Sequence, residues 1–247
     1  MTKKVKASDL HPGDVLLYLF DPPVWDFPNW IVDKLIVDLD GGTYNHASII
    51  DDSGKVVEAT GKGIIKNSVQ ASIKNAARVD VWRLRDPKGG DLGSPGFDAK
   101  PVTDWANQFA AKDGGYAYDR LLLLAGITSS RRVDPSIGGK ILELILEQAA
   151  LLLDKIVSEG RVQMICSELV YRCYLGASQT SKDSRYLLNV PRALKPELAS
   201  PLQTQASQFW AKYQAAKKND PLPPTPEFVT PRDLETGKSL VIVGHLK

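Results

Sequence analysis

The 247-residue sequence predicts an α+β fold: a small antiparallel sheet of about five or six strands with helices packed on it. Three observations predict it. Short apolar or alternating runs such as Val15 to Phe20 and Arg78 to Leu84 have strand length and period. Turn clusters such as Asp51-Asp52-Ser53-Gly54 separate neighbouring runs at hairpin spacing. Later stretches carry apolar residues at helical spacing. Hydrophobic content of 43% and charged content of 24% are those of an ordinary globular chain. The length suits one domain, read here as spanning residues 1–247.

Taken in order, the basic start Met1 to Lys6 is followed by no apolar signal-peptide core. The expectation is a cytoplasmic chain, or one exported by a route independent of a signal peptide. His11-Pro12-Gly13-Asp14 is turn chemistry, with His11 at the surface, and Val15 to Phe20 is a buried strand. Trp30, Ile31, Lys34, Leu35 and Val37 suggest a short amphipathic helix from near Asn29. Tyr44 to Ile50 and Lys55 to Ala59 read as a hairpin about the Asp51–Gly54 turn. A turn centred near Asp52 sets His46 directly opposite Glu58; a one-residue shift makes the pair diagonal or puts it on opposite faces.

Gly63 to Ile65 is a short strand, and Arg78 to Leu84 a strand with one buried face. Asp86 to Pro101, rich in Gly, Pro and Asp, reads as a surface loop. Thr103 to Lys112 is a helix with Trp105, Phe109 and Ala110 inward. A broadly apolar helix is expected over Gly138 to Ser158, within a helical insertion of about 120–160. It suits core packing, or a lid or lipid-facing surface beside a site. Its Glu143, Glu147, Gln148 and Asp154 argue against a membrane span. Ala199 to Ala216 is an amphipathic helix, followed by a Pro-rich arm from about 220. Ser239 to Val243 is a last strand that rejoins the sheet, with His245 beyond it in a fraying end.

Met164-Ile165-Cys166-Ser167-Glu168-Leu169-Val170-Tyr171 carries the chemistry. A helix begins at the cysteine and runs to about Gly176. A thiol there faces unpaired N–H groups and the positive end of the dipole, and both favour the nucleophilic thiolate. The alternative is a buried structural cysteine. Cys166 and Cys173 lie seven residues apart on one helix, roughly 10 Å at about 1.5 Å per residue, too far for a disulfide. No CxxC or HExxH spacing is present, so no zinc site or other metal is expected, and no cofactor is implied. A net charge of +2 gives no reason to expect nucleic acid. With three histidines and two cysteines, His46, Glu58 and Cys166 form the economical set of base, orienting carboxylate and nucleophile.

These segments together resemble a known family. Gly13-Asp14-Val15-Leu16, Asn45-His46-Ala47-Ser48-Ile49-Ile50, Val56-Val57-Glu58-Ala59 and Val79-Asp80-Val81-Trp82-Arg83 are similar to the circularly permuted papain-like group. That group is YiiX-like and related to the NlpC-type cell-wall peptidases. Gly115-Tyr116-Ala117-Tyr118-Asp119, Cys166-Ser167-Glu168-Leu169-Val170 and Thr230-Pro231-Arg232-Asp233-Leu234 extend the resemblance over most of the chain. It implies a permuted papain-like fold, with Cys166 as nucleophile, His46 as general base and Glu58 as third member. The backbone N–H of Cys166 would serve an oxyanion. Tyr118 and Asp119 match a family motif and, with Tyr44, are the substrate-binding candidates.

The implied activity is that of a cysteine-dependent amidase or peptidase acting on cell-wall-type or other amides through an acyl-enzyme. A lipid acyl hydrolase or acyltransferase of the lecithin–retinol acyltransferase type is the alternative, and a non-catalytic binding module a third. The expected partners are a small-molecule, peptide or lipid substrate and peripheral contact with membrane or cell wall. A housekeeping enzyme and a delivered effector both fit.

Overall fold

The computed structural model describes residues 3–20, 42–60, 63–88, 90–111, 165–190 and 229–247. Ten elements organise them. In chain order they are β1 (Val15–Phe20), β2 (His46–Ile50), β3 (Val56–Thr60), β4 (Gly63–Asn67), α1 (Val69–Ile73), β5 (Ala76–Leu84), α2 (Lys100–Ala111), α3 (Cys166–Ser181), α4 (Pro231–Thr236) and β6 (Leu240–His245). The fold is α+β. Six antiparallel strands lie in the order β4-β3-β2-β1-β5-β6.

Helices cover both faces of the sheet, which is why β1 reads as a nearly unbroken apolar run. Val15 and Leu17 point into one core with Ala47, Ile49, Val57 and the inward faces of α2 and α3. Leu16 and Tyr18 point into the other with Ile50, Val56, Val79, Val81 and Val69 of α1. The strands therefore alternate between two buried faces rather than between core and water.

Gly13 opens β1 in the left-handed region, at φ 84°, and a Cβ there would lie 2.5 Å from the Leu92 side chain. Its carbonyl accepts a 2.6 Å hydrogen bond from the Tyr174 hydroxyl of α3. Asp14, fully buried, takes a two-pronged bond from Arg83, at 2.6 and 2.8 Å, and a third from the His11 backbone N–H. His11 itself is exposed.

The structure departs from the sequence reading in several places. The segment 86–101 is not simply a surface loop: Leu92, Phe97 and Ala99 are core residues, and α2 already begins at Lys100. Pro101 then falls in the first helical turn, where its missing N–H costs nothing. Arg185 lies 4.8 Å over the Phe97 ring, and the Tyr186 hydroxyl donates to the Asp98 carbonyl at 2.6 Å, which pins the segment down.

α3 does not stop near Gly176 but runs to Ser181. The glycine is there for close approach, since a Cβ would sit 2.5 Å from the Trp105 ring of α2. His245 is not frayed. It belongs to β6, bonds Asp80 through Nδ1, and forms a parallel bridge with Lys4. The helices expected near Asn29, over 138–158 and over 199–216, the insertion of about 120–160 and the Pro-rich arm lie outside the described residues. Among the described residues no helix is long and apolar enough to cross a membrane.

Candidate active site

The β2–β3 hairpin brings the histidine and the carboxylate together. Asp51 shapes the turn: its Oδ1 accepts from the backbone N–H groups of Ser53 and Lys55, at 2.9 and 2.8 Å, while Lys66 holds Oδ2 at 2.9 Å. The Asp51 N–H bonds the Lys55 carbonyl, and Gly54 takes φ 74°. Ile49 thus pairs with Val57 and Ile50 with Val56. Carried along the strands, that register sets Glu58 opposite position 48, with His46 two residues further on. The pair is diagonal on one face rather than directly opposed, because the turn centres on Ser53 rather than Asp52. The side chains span the diagonal, and His46 Nε2 lies 3.0 Å from Glu58 Oε2.

Cys166 arrives from the other side of the sheet. It is the first residue of α3, after an extended Ile165. Its thiol faces the His46 side chain, and the backbone N–H groups of Ala47 and Ser167 lie beside the sulfur. Since Glu58 occupies Nε2, Nδ1 is the ring nitrogen left for the thiol. The first turn of α3 is anchored by the Ser167 hydroxyl, which donates to the Val229 carbonyl at 2.6 Å. Val229 leads into Thr230, whose side chain and Asp233 cap α4 reciprocally. The Thr230–Leu234 motif thereby braces the cysteine helix.

The electrostatics follow from burial and pairing. Cys166 is 1% exposed. Burial alone would push its thiol up, but the charge and hydrogen bond of His46, with the two backbone donors, hold it below the usual thiol range. For His46, burial works against the charged ring. The Cys166 charge and hydrogen bond, then those of Glu58, outweigh it and raise the imidazole to about 10. Burial likewise opposes the Glu58 charge, yet bonds from His46, Asn67 and Ser72 hold its carboxyl below the ordinary range. The pairing favours a thiolate, an imidazolium and a carboxylate over their neutral forms. Cys173, seven residues along the same helix, meets only burial to any large degree and is pushed far up. Both cysteines are free.

Aromatic rings wall the imidazole: Tyr18 lies 5.1 Å and Phe20 5.7 Å away, centroid to centroid. Three hydroxyls run beneath it, with Tyr18 OH 2.7 Å from Ser48 Oγ and 2.8 Å from Ser72 Oγ. Asn67 Nδ2 donates to Glu58 Oε1 at 2.7 Å. The sequence reading missed Tyr18, Ser48, Asn67 and Ser72, as well as Ala47 and Ser167 as donors to the sulfur. Tyr18 and Ser48 stand at alternate positions facing His46 and Glu58 across neighbouring strands, a signal the pattern did contain.

Of the remaining candidates, Tyr118 and Asp119 lie outside the described residues. Tyr44 is 3% exposed, and its hydroxyl donates to Asp80, which Arg78 and His245 also bond. Its polar end is committed inside the molecule and does not join Cys166, His46 and Glu58. Among the described residues no group of three or more His, Cys, Asp or Glu side chains is arranged to hold a metal ion. No protein-family model matches the chain, and comparison with curated proteins finds no match.

Proposed function

We propose that the protein is a cysteine hydrolase that cleaves amide bonds through a thioester intermediate, with Cys166, His46 and Glu58 as nucleophile, acid–base and orienting group. One observation carries this reading: the thiol at the start of α3 is set against an imidazole whose Nε2 is held by a buried carboxylate. An inert structural cysteine, like Cys173, needs none of these partners. The Cys166 thiolate attacks the carbonyl carbon. The imidazolium then gives its proton to the leaving amine, and the neutral ring takes a proton from water to release the acid. The N–H groups now on the sulfur lie where a helix start and a strand end supply donors for the developing oxyanion.

The resemblance to the permuted papain-like group supports the same assignment and favours cell-wall-type amides as substrates. The permuted papain-like fold belongs to this proposal too, and the six-stranded sheet with the cysteine helix packed on it is consistent with it.

The test is the pH dependence of Cys166 alkylation by iodoacetamide in a Cys173→Ser background. Labelling is expected to stay fast below pH 7 and to fall at least tenfold at pH 7 in His46→Ala, since each unit of thiol pKa changes the thiolate fraction tenfold. Labelling at the rate of an ordinary thiol, unchanged in His46→Ala, would sink the proposal.

A further inference from the structure

The polar groups behind Glu58 outnumber what a simple salt-linked hairpin requires, and their hydrogen-bond directions can be worked out. Ser72 lies beside Glu58, and a carboxylate only accepts, so a Ser72 hydroxyl turned to it gives its single proton there. The Tyr18 hydroxyl, 2.8 Å from Ser72 Oγ, must then donate to Ser72. Ser48, 2.7 Å from the same phenol oxygen, must in turn donate to Tyr18. The chain runs one way, Ser48 to Tyr18 to Ser72 to Glu58. Ser48, Tyr18 and Glu58 are buried, and Ser72 is 8% exposed. From the other side Asn67 gives Glu58 Oε1 an amide proton at 2.7 Å. Oε2 also faces His46 Nε2.

We propose that Asn67 and the Ser48–Tyr18–Ser72 hydroxyl chain are positioning residues that fix the Glu58 carboxylate toward His46 and thereby set the reactivity of Cys166. The inference rests on the Cys166–His46–Glu58 reading and deepens it by naming what governs the site. Hydrogen bonds in such a chain polarise one another, and donors aimed at a carboxylate keep it charged inside a low-dielectric interior. The arrangement places control of the nucleophile on three strands and on α1, whose Ser72 faces the sheet. None of these residues touches the reacting sulfur or the carbonyl it would attack. Their effect passes through Glu58 and then His46.

The experiment is the iodoacetamide pH profile, again in Cys173→Ser, for Asn67→Asp, Asn67→Gln, Ser72→Ala and Tyr18→Phe, each with a thermal melt. Asn67→Asp keeps the shape but turns the donor into a second carboxylate against Glu58. It is expected to move the labelling midpoint upward and to slow labelling at pH 7 about tenfold, with the melt close to the parent. Asn67→Gln, which retains the amide donor, should recover most of the rate. Ser72→Ala should shift the midpoint less than Asn67→Asp, and Tyr18→Phe, two bonds from the carboxylate, least.

Profiles that coincide with the parent in both Asn67→Asp and Ser72→Ala, while His46→Ala still slows labelling, overturn this proposal and leave the hydrolase reading standing. Labelling of the parent at an ordinary thiol rate overturns both. A role in folding alone would move the melts and leave the midpoints fixed, which also overturns it.

Discussion

At the scale of single residues, two of the sites that hold buried charge differ in what they do. One is the trio at Cys166. The other is Asp14 with Arg83, where a guanidinium meets a fully buried carboxylate along both of its edges. Replacing one partner strands the other in the core, and that asymmetry costs more than the pair itself is worth. Arg83→Leu is therefore expected to lower unfolding free energy by about 3 kcal/mol in urea titration. The removal leaves Cys166 labelling nearly unchanged, because Asp14 and His46 stand toward opposite ends of β1 and β2. The cysteine, histidine and glutamate were legible from residue type, order and spacing. Asn67 and Ser72 were not, because a lone amide at a strand end or a lone hydroxyl in a one-turn helix looks like turn chemistry until the fold aims it.

At the scale of elements, α2 and α3 meet through a glycine. A glycine within a helix ordinarily costs about 0.5–1 kcal/mol relative to alanine. At Gly176 that sign reverses, because the added methyl would meet the stiff, largely buried Trp105 ring at 2.5 Å. Gly176→Ala is expected to destabilise by about 1–3 kcal/mol, the usual range for overpacking, with a shift in tryptophan emission as the ring moves. Read as sequence, Gly176 followed by polar residues resembles a helix stop, and only the neighbouring helix explains it. The segment 86–101 misleads for the converse reason. Its Gly, Pro and Asp content suggests a solvated loop, while Leu92 and Phe97 are buried by distant partners that no local pattern names. The strands were legible because apolar alternation, or an apolar run between turns, is a local property.

At the scale of the whole molecule, the charges set how stability responds to pH. Glu58, Asp51 and Asp80 are held below their ordinary values of 4.5, 3.8 and 3.8. Each therefore stabilises the fold above its unfolded value, and the contribution is lost as pH falls through the lower folded one. Unfolding free energy from urea titration should fall steeply below about pH 4, and less steeply in Glu58→Gln.

The alkaline side has a different shape. His46, raised from 6.5 to about 10, stabilises fully below 6.5 and loses its contribution on the way to 10. Cys166, lowered from 9.0, gains its contribution on the way up to 9.0. Below 9.0 the two slopes oppose each other wherever the folded chain keeps the imidazole proton and has already lost the thiol proton. A shallower slope below pH 9 and a decline above it are expected. Cys166→Ser removes the thiol's contribution and also the charge that chiefly holds the imidazole up, so the decline above pH 9 should shrink in urea titration.

Finally, Lys4 and His245 lie side by side in parallel, with the Val5 N–H on the His245 carbonyl at 2.7 Å and the His245 N–H on the Lys3 carbonyl at 2.8 Å. The segment about Lys4 thus lies along the outer edge of β6 and screens part of that border from pairing with another chain.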